Sequence, residues 1–121
     1  MARSSSTVLV VEDEVFVAWD VAQALENAGY SVLGPAHTLD DGLRLVDDGV
    51  PQAAVLDINL GKETVWPLAE RLRANGVAVI FLTADLGHPE LGSRFADTRR
   101  LSKPVRESDL VQTLAGAMSA R

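Results

Sequence analysis

The sequence predicts an α/β fold in which five parallel strands alternate with five helices. Two observations carry the prediction. Short apolar runs recur at near-even spacing, at residues 8–11, 31–33, 53–56, 77–82 and, more weakly, around 100–101. Such runs of Val, Ile and Leu suit strands buried on both faces of a parallel sheet. Between them lie segments whose apolar residues repeat at helical spacing.

The elements follow in order. The run Val8-Leu9-Val10-Val11 ends at Glu12-Asp13. Val17, Val21, Leu25 and Ala28 then form one face of a first helix, which Gly29 is placed to stop. After the second strand, a helix starts at Thr38, with Asp41 three residues on in a near-capping-box arrangement. Leu39, Leu43 and Val46 make its apolar face. The third strand ends in Asp57, and a third helix covers about 64–75, with Leu68 and Leu72 inward. Pro67 is tolerated in its first turn and Gly76 stops it. The fourth strand ends in Thr83. The fourth helix, near 89–96, is short and contains glycine, so a reduced element is expected. A weak fifth strand leads to Lys103-Pro104. The last helix places Leu110, Val111, Leu114, Ala117 and Met118 on one stripe, with Glu107 and Asp109 at the positive end of its dipole. Helices on both faces and right-handed crossovers follow.

Bulk properties narrow the function. A chain of 121 residues fits one domain, expected over 7–118, between a flexible segment 1–6 and a tail 119–121 with no output domain. Hydrophobic residues at 47% supply a core, and aromatics at 5% leave its packing to aliphatic side chains. A formal charge of −6 argues against nucleic-acid and anionic-membrane partners. The absence of cysteine excludes disulfides and thiolate metal sites. No apolar run is long enough for a signal-peptide core or a membrane span, so a cytoplasmic location is expected.

Ligands of an open α/β sheet bind beyond the carboxyl ends of the strands. Those ends carry Glu12, Asp13, Asp57, Thr83 and Lys103. Three converging carboxylates repel one another unless a cation intervenes, and hard oxygen donors suit Mg²⁺. Lys103 has the wrong charge for a metal ligand and the right one for a phosphoryl oxygen. Thr83 is placed to donate to a second phosphoryl oxygen, which leaves Asp57 as the nucleophile. Each residue alone has a plainer reading. Asp13 and Asp57 suit caps or turns, Thr83 a strand-end hydroxyl, and Lys103 a solvated amine. Together at successive strand ends they favour phosphoryl chemistry.

The acidic pair Glu12-Asp13, Asp57 within AAVLDINLG, Thr83 within VIFLTA and the SKP at 102–104 resemble a response-regulator receiver domain, over about residues 7–118. The stretches GYSVLGPA, DINLG, FLT and RFADTRRLSKP resemble, more narrowly, stand-alone regulators associated with HWE-type histidine kinases. The resemblance implies a flavodoxin-like (βα)5 fold with strand order 2-1-3-4-5, Mg²⁺ dependence, and phosphorylation of Asp57 by a histidine kinase or phosphotransfer protein. It implies that Asn59 offers its backbone carbonyl to the metal beside Glu12, Asp13 and Asp57, and that the Lys103-Pro104 peptide is cis. It implies a protein that catalyses only its own phosphorylation and dephosphorylation, signals to a downstream protein, and is a monomer or weak dimer. One position departs from the pattern. Three residues before the lysine, where receivers carry a switching aromatic, stands Arg100. Ala84 keeps the small residue the family needs beside the site, and Asn59 and Asp85, each two residues past a key position, fall where the family tunes dephosphorylation.

Other residues are read more plainly. His37 and His88 are expected on exposed loops, and Arg99, Arg100, Lys103 and Arg106 as a solvated basic edge. Trp66 divides evenly between packing beside the site and exposure. Phe16 and Trp19 fall off the core stripe of the first helix, and a docking face for a kinase is slightly favoured for them. Two competitors remain: a pseudo-receiver that is never phosphorylated, and a flavodoxin-like cofactor-binding protein. The second would need a glycine-rich loop after strand one, where Glu12-Asp13-Glu14 would instead repel a phosphate.

Overall fold

The computed structural model describes residues 6–120. Five strands form one parallel sheet: β1 (Thr7–Val11), β2 (Ser31–Ala36), β3 (Ala53–Asp57), β4 (Ala78–Thr83) and β5 (Arg99–Ser102). Their order is β2-β1-β3-β4-β5, the order the resemblance implies. Among the described residues four α-helices cover the sheet: α1 (Val15–Asn27), α2 (Leu39–Asp48), α3 (Trp66–Ala74) and α4 (Glu107–Ala120). Residues 1–5 of the expected N-terminal segment, and Arg121 of the tail, lie outside the described residues.

The core splits into two halves because strand side chains alternate between faces. On β3, Ala54 and Leu56 join Val11, Leu68, Leu72 and Phe81 under α2 and α3. Ala53 and Val55 point the other way, to Val8, Val10, Leu25, Ile80, Leu110 and Leu114 under α1 and α4. Burial on both faces is why β1, β3 and β4 read as unbroken apolar runs. Strand β5 lies at the sheet edge and is only partly buried, which is why its signal is weak.

Local chemistry sets the ends. Gly29 adopts φ +96 just beyond α1, a conformation that suits a residue without Cβ. Ala28, expected on the apolar stripe, is instead the exposed C-cap. The Thr38 hydroxyl accepts the Asp41 N–H at 3.1 Å and caps α2. Pro67 sits in the first turn of α3.

The expected fourth helix is reduced, as its short, glycine-containing sequence suggests, and it is not an α-helix at all. Between β4 and β5 there is only a 3₁₀ turn, Pro89–Gly92. Arg100 accounts for part of this. Its guanidinium donates to the carbonyls of Leu91, Phe95, Ala96 and Thr98 at 2.6 to 2.9 Å. Carbonyls gathered around one side chain do not line up along a helix axis. A second feature absent from the sequence reading is a short antiparallel hairpin, Asn59–Leu60 with Glu63–Thr64, directly after Asp57.

Candidate functional site

The parallel register sets the carboxyl ends of β1, β3, β4 and β5 along one rim. Leu56 pairs with Val11 and with Phe81, Asp57 with Leu82, and Thr83 with Ser102. The turn after β1 therefore delivers Glu12 and Asp13 beside Asp57, and the turn after β5 delivers Lys103. The Lys103 N–H donates to the Thr83 carbonyl at 2.9 Å, tying two of these turns together. The Lys103–Pro104 peptide is cis, as expected, and so is Gly34–Pro35.

Asp57 is buried. Its Oδ1 accepts the Asn59 N–H at 3.1 Å, and its Oδ2 accepts the Lys103 ammonium at 3.1 Å. Glu12 is fully buried, and its Oε2 accepts the Glu14 N–H at 3.0 Å. The Lys103 Nζ lies 2.6 Å from Glu12 Oε1. That contact is an ion pair without hydrogen-bond alignment, so Oε1 is a buried acceptor with capacity for a further partner. Glu12, Asp13 and Asp57 each place one carboxylate oxygen within 4.8 Å of the others.

Such crowding perturbs titration. Burial pushes the Glu12 carboxyl up to about 7, against the pull of Lys103, with Asp57 adding to the rise. Burial likewise raises Asp57, opposed by the Asn59 N–H and by Lys103. Burial acts to raise Asp13 too, yet hydrogen bonding with its carboxyl neighbours and the charge of Lys103 outweigh it and hold Asp13 low. Lys103 loses from burial but gains more from Glu12 and Asp57, so its ammonium is held above its ordinary range. Carboxyls pushed in opposite directions within 4.8 Å are what a shared cation would relieve. All its donors are oxygen, which fits a hard divalent ion.

The Thr83 side chain is buried beside this cluster. Its hydroxyl donates to the Asp85 carbonyl at 3.1 Å and accepts the Asp85 N–H at 2.8 Å. Asp85 Oδ1 accepts the Gly87 N–H, which engages that carboxylate in the turn.

Residues 8–115 match the response regulator receiver domain family. The chain belongs to that family. Among relatives of this receiver domain, the transcriptional regulatory protein PdtaR of Mycobacterium tuberculosis is 24% identical over 115 residues, covering 93% of this chain and 56% of PdtaR. The phyllosphere-induced regulator PhyR of Methylorubrum extorquens is 26% identical over 123 residues, covering 97% of this chain and 45% of PhyR. The chain thus spans about half the length of these curated relatives. A CheY-like receiver domain protein from Methanospirillum hungatei superposes with a TM-score of 0.86 at 25% identity, covering 97% of this chain and 96% of the other. PhyR from Brucella abortus superposes with a TM-score of 0.81 at 30% identity, covering 96% of this chain and 48% of that one. Receiver domains are signalling modules of two-component systems.

The structure changes the sequence readings of His37, His88 and Arg100 and decides that of Trp66. His37 is half-buried and its Nδ1 donates to the Glu12 carbonyl at 2.9 Å. His88 is also half-buried. Its Nδ1 accepts the Glu90 N–H, and its ring lies 5.1 Å from Trp66. Trp66 itself is buried and stacks on Phe95 at 5.3 Å. Arg100, read as part of a solvated edge, turns inward to four carbonyls. A guanidinium at a position of β5 that pairs with buried Phe81 was the available signal for that role. Phe16 and Trp19 do lie off the core, 85% and 60% exposed. Among the described residues no helix is long and apolar enough to cross a membrane.

Proposed function

We propose that this receiver domain accepts a phosphoryl group on Asp57 from a phosphohistidine of a histidine kinase or phosphotransfer protein. The observation that carries the reading is the buried Asp57 carboxylate, hydrogen-bonded to Lys103 on one oxygen and gathered with Glu12 and Asp13 on the rim. An Asp57 oxygen attacks phosphorus as the P–N bond to the donor imidazole breaks. The P–N electron pair stays on the donor nitrogen, so an imidazole whose other ring nitrogen already carries a proton departs neutral, and an acyl phosphate remains on Asp57. The Lys103 ammonium neutralises one phosphoryl oxygen and the Thr83 hydroxyl donates to another.

Glu12, Asp13, Asp57 and the Asn59 carbonyl would hold Mg²⁺. The buried Glu12 Oε1 and the all-oxygen donor set fit such an ion. When bound, it supplies charge neutralisation to the phosphoryl oxygens and the carboxylates. The protein then signals by contact with a downstream protein, as a relay, a sink or an allosteric partner.

The donor reaches Asp57 from the side of α1. A groove of about 600 Å³ opens beside Lys103, lined by Val17, Asp20, Ala24, Val105 and Leu110. Exposed Phe16 and Trp19 extend the apolar surface of the same helix. The motif resemblance makes an HWE-type kinase the donor class to try first.

Intact-mass measurement after incubation with phosphoramidate, with and without Mg²⁺, tests the reading. A gain of one phosphoryl mass that needs Mg²⁺ and is lost in Asp57→Ala is expected. A wild-type protein that gains no mass from any donor would instead be a pseudo-receiver, the reading to which the missing switch aromatic at Arg100 gives some weight.

A further inference from the structure

The segment between Thr83 and β5 is anchored at both ends by single side chains. At its start the Thr83 hydroxyl holds both the N–H and the carbonyl of Asp85. That same Asp85 carbonyl receives the His88 N–H at 3.4 Å. At its end Arg100 gathers the carbonyls of Leu91, Phe95, Ala96 and Thr98. Between the anchors, Leu91 and Phe95 are buried, and Trp66 lies against both His88 and Phe95. The segment has no α-helix of its own to hold its shape.

A threonine hydroxyl has one hydrogen. In this structure it is committed to the Asp85 carbonyl. If Thr83 donates to a phosphoryl oxygen, that bond to Asp85 must be given up, and the first anchor loosens. The second does not depend on the phosphoryl group. A guanidinium stays protonated and presents its donors in a rigid fork. Arg100 also belongs to the sheet, paired with Phe81 two residues before Thr83 on β4.

We propose that Arg100 is a positioning residue for the phosphorylation switch: it latches residues 88–98 in the resting shape, and the Thr83 hydroxyl releases their near end. The signal then travels as a movement of this segment against Trp66, not as the rotation of an aromatic side chain on β5. The release half rests on the phosphoacceptor reading above; the latch half does not.

Hydrogen exchange of the full chain, read by mass spectrometry on peptides covering 84–98, tests both halves. Intact mass from the same samples reports phosphorylation by phosphoramidate and Mg²⁺. In the wild type, phosphorylation should raise exchange in 88–98 by about tenfold while β1 and β3 stay protected. In Arg100→Met, exchange there should be raised about tenfold before any donor is added, and phosphorylation should change it by less than about twofold. Arg100→Lys keeps the charge and loses the fork, should fall between the two, and carries the comparison if Arg100→Met does not fold. A latch without a switching role would raise exchange in the variants yet leave the phosphorylated wild type unchanged, and that result overturns the proposal. So does an Arg100 variant that exchanges like the wild type before phosphorylation. A wild type that gains no mass overturns the phosphoacceptor reading, and the release half with it; exchange in the unphosphorylated variants still decides the latch.

Discussion

Titrating the metal-free protein from about pH 5 to pH 8 probes the rim directly, through Glu12. This carboxyl is fully buried and its pKa rises from 4.5 to about 7 on folding. The native state therefore holds a proton there that the unfolded chain has released. Stability from this group is complete below about pH 4.5 and is lost as pH rises through 7. A shift of this size corresponds to about 3 kcal/mol, a large share of the 5 to 15 kcal/mol typical of a domain, taken as an order of magnitude. Asp57, also raised, adds with the same sign. Asp13 is lowered, so its contribution changes only in more acid solution, and that of Lys103 only in more alkaline solution. Urea unfolding monitored by circular dichroism should show a falling midpoint across this interval, and Glu12→Gln should flatten the fall. Added Mg²⁺ should restore stability more at the upper end than at the lower, because protons and the metal compete for the same oxygens. A metal-free midpoint that is level or rises with pH, with Glu12→Gln behaving alike, would refute the electrostatic account.

Three further outcomes are expected. Thr38→Ala removes the side-chain acceptor for the Asp41 N–H and should lower stability by about 1 kcal/mol in urea unfolding. Leu114→Ala deletes a fully buried side chain under β4 and should cost about 2–5 kcal/mol in the same assay. Gly42→Ala sets helix propensity against packing: the new Cβ would meet Leu68 at 2.9 Å and Val11 at 3.2 Å. Overpacking of about 1–3 kcal/mol outweighs a propensity gain of about 1 kcal/mol, so a lower thermal midpoint is expected.

The strands were legible where both faces are covered. Val8 to Val11 and Val79 to Leu82 have water on neither side, so the sequence has no reason to alternate. The rim residues were legible for a related reason: a polar residue directly after such a run has to lie at a strand end, and a parallel sheet puts all those ends on one side. What escaped reading depends on contacts distant in sequence. His88 and Trp66 lie 22 positions apart, and neither shows on its own that they meet. Arg100 looked like surface charge because arginine usually is; its partners are backbone carbonyls, which no residue type announces. The hairpin after Asp57 has two residues per strand, too few for any period to show.

The division of the core by the sheet gives the two sides different optical labels. Trp66, Phe81 and Phe95 all belong to the side covered by α2 and α3, while the other side is aliphatic apart from partly buried Tyr30. A single-tryptophan protein carrying Trp19→Phe would therefore report by fluorescence on one side alone. Far-ultraviolet ellipticity would report on all four helices together. Coincidence of the two melting curves would mean that the layers come apart as one body, and a gap between them would identify which layer lets go first.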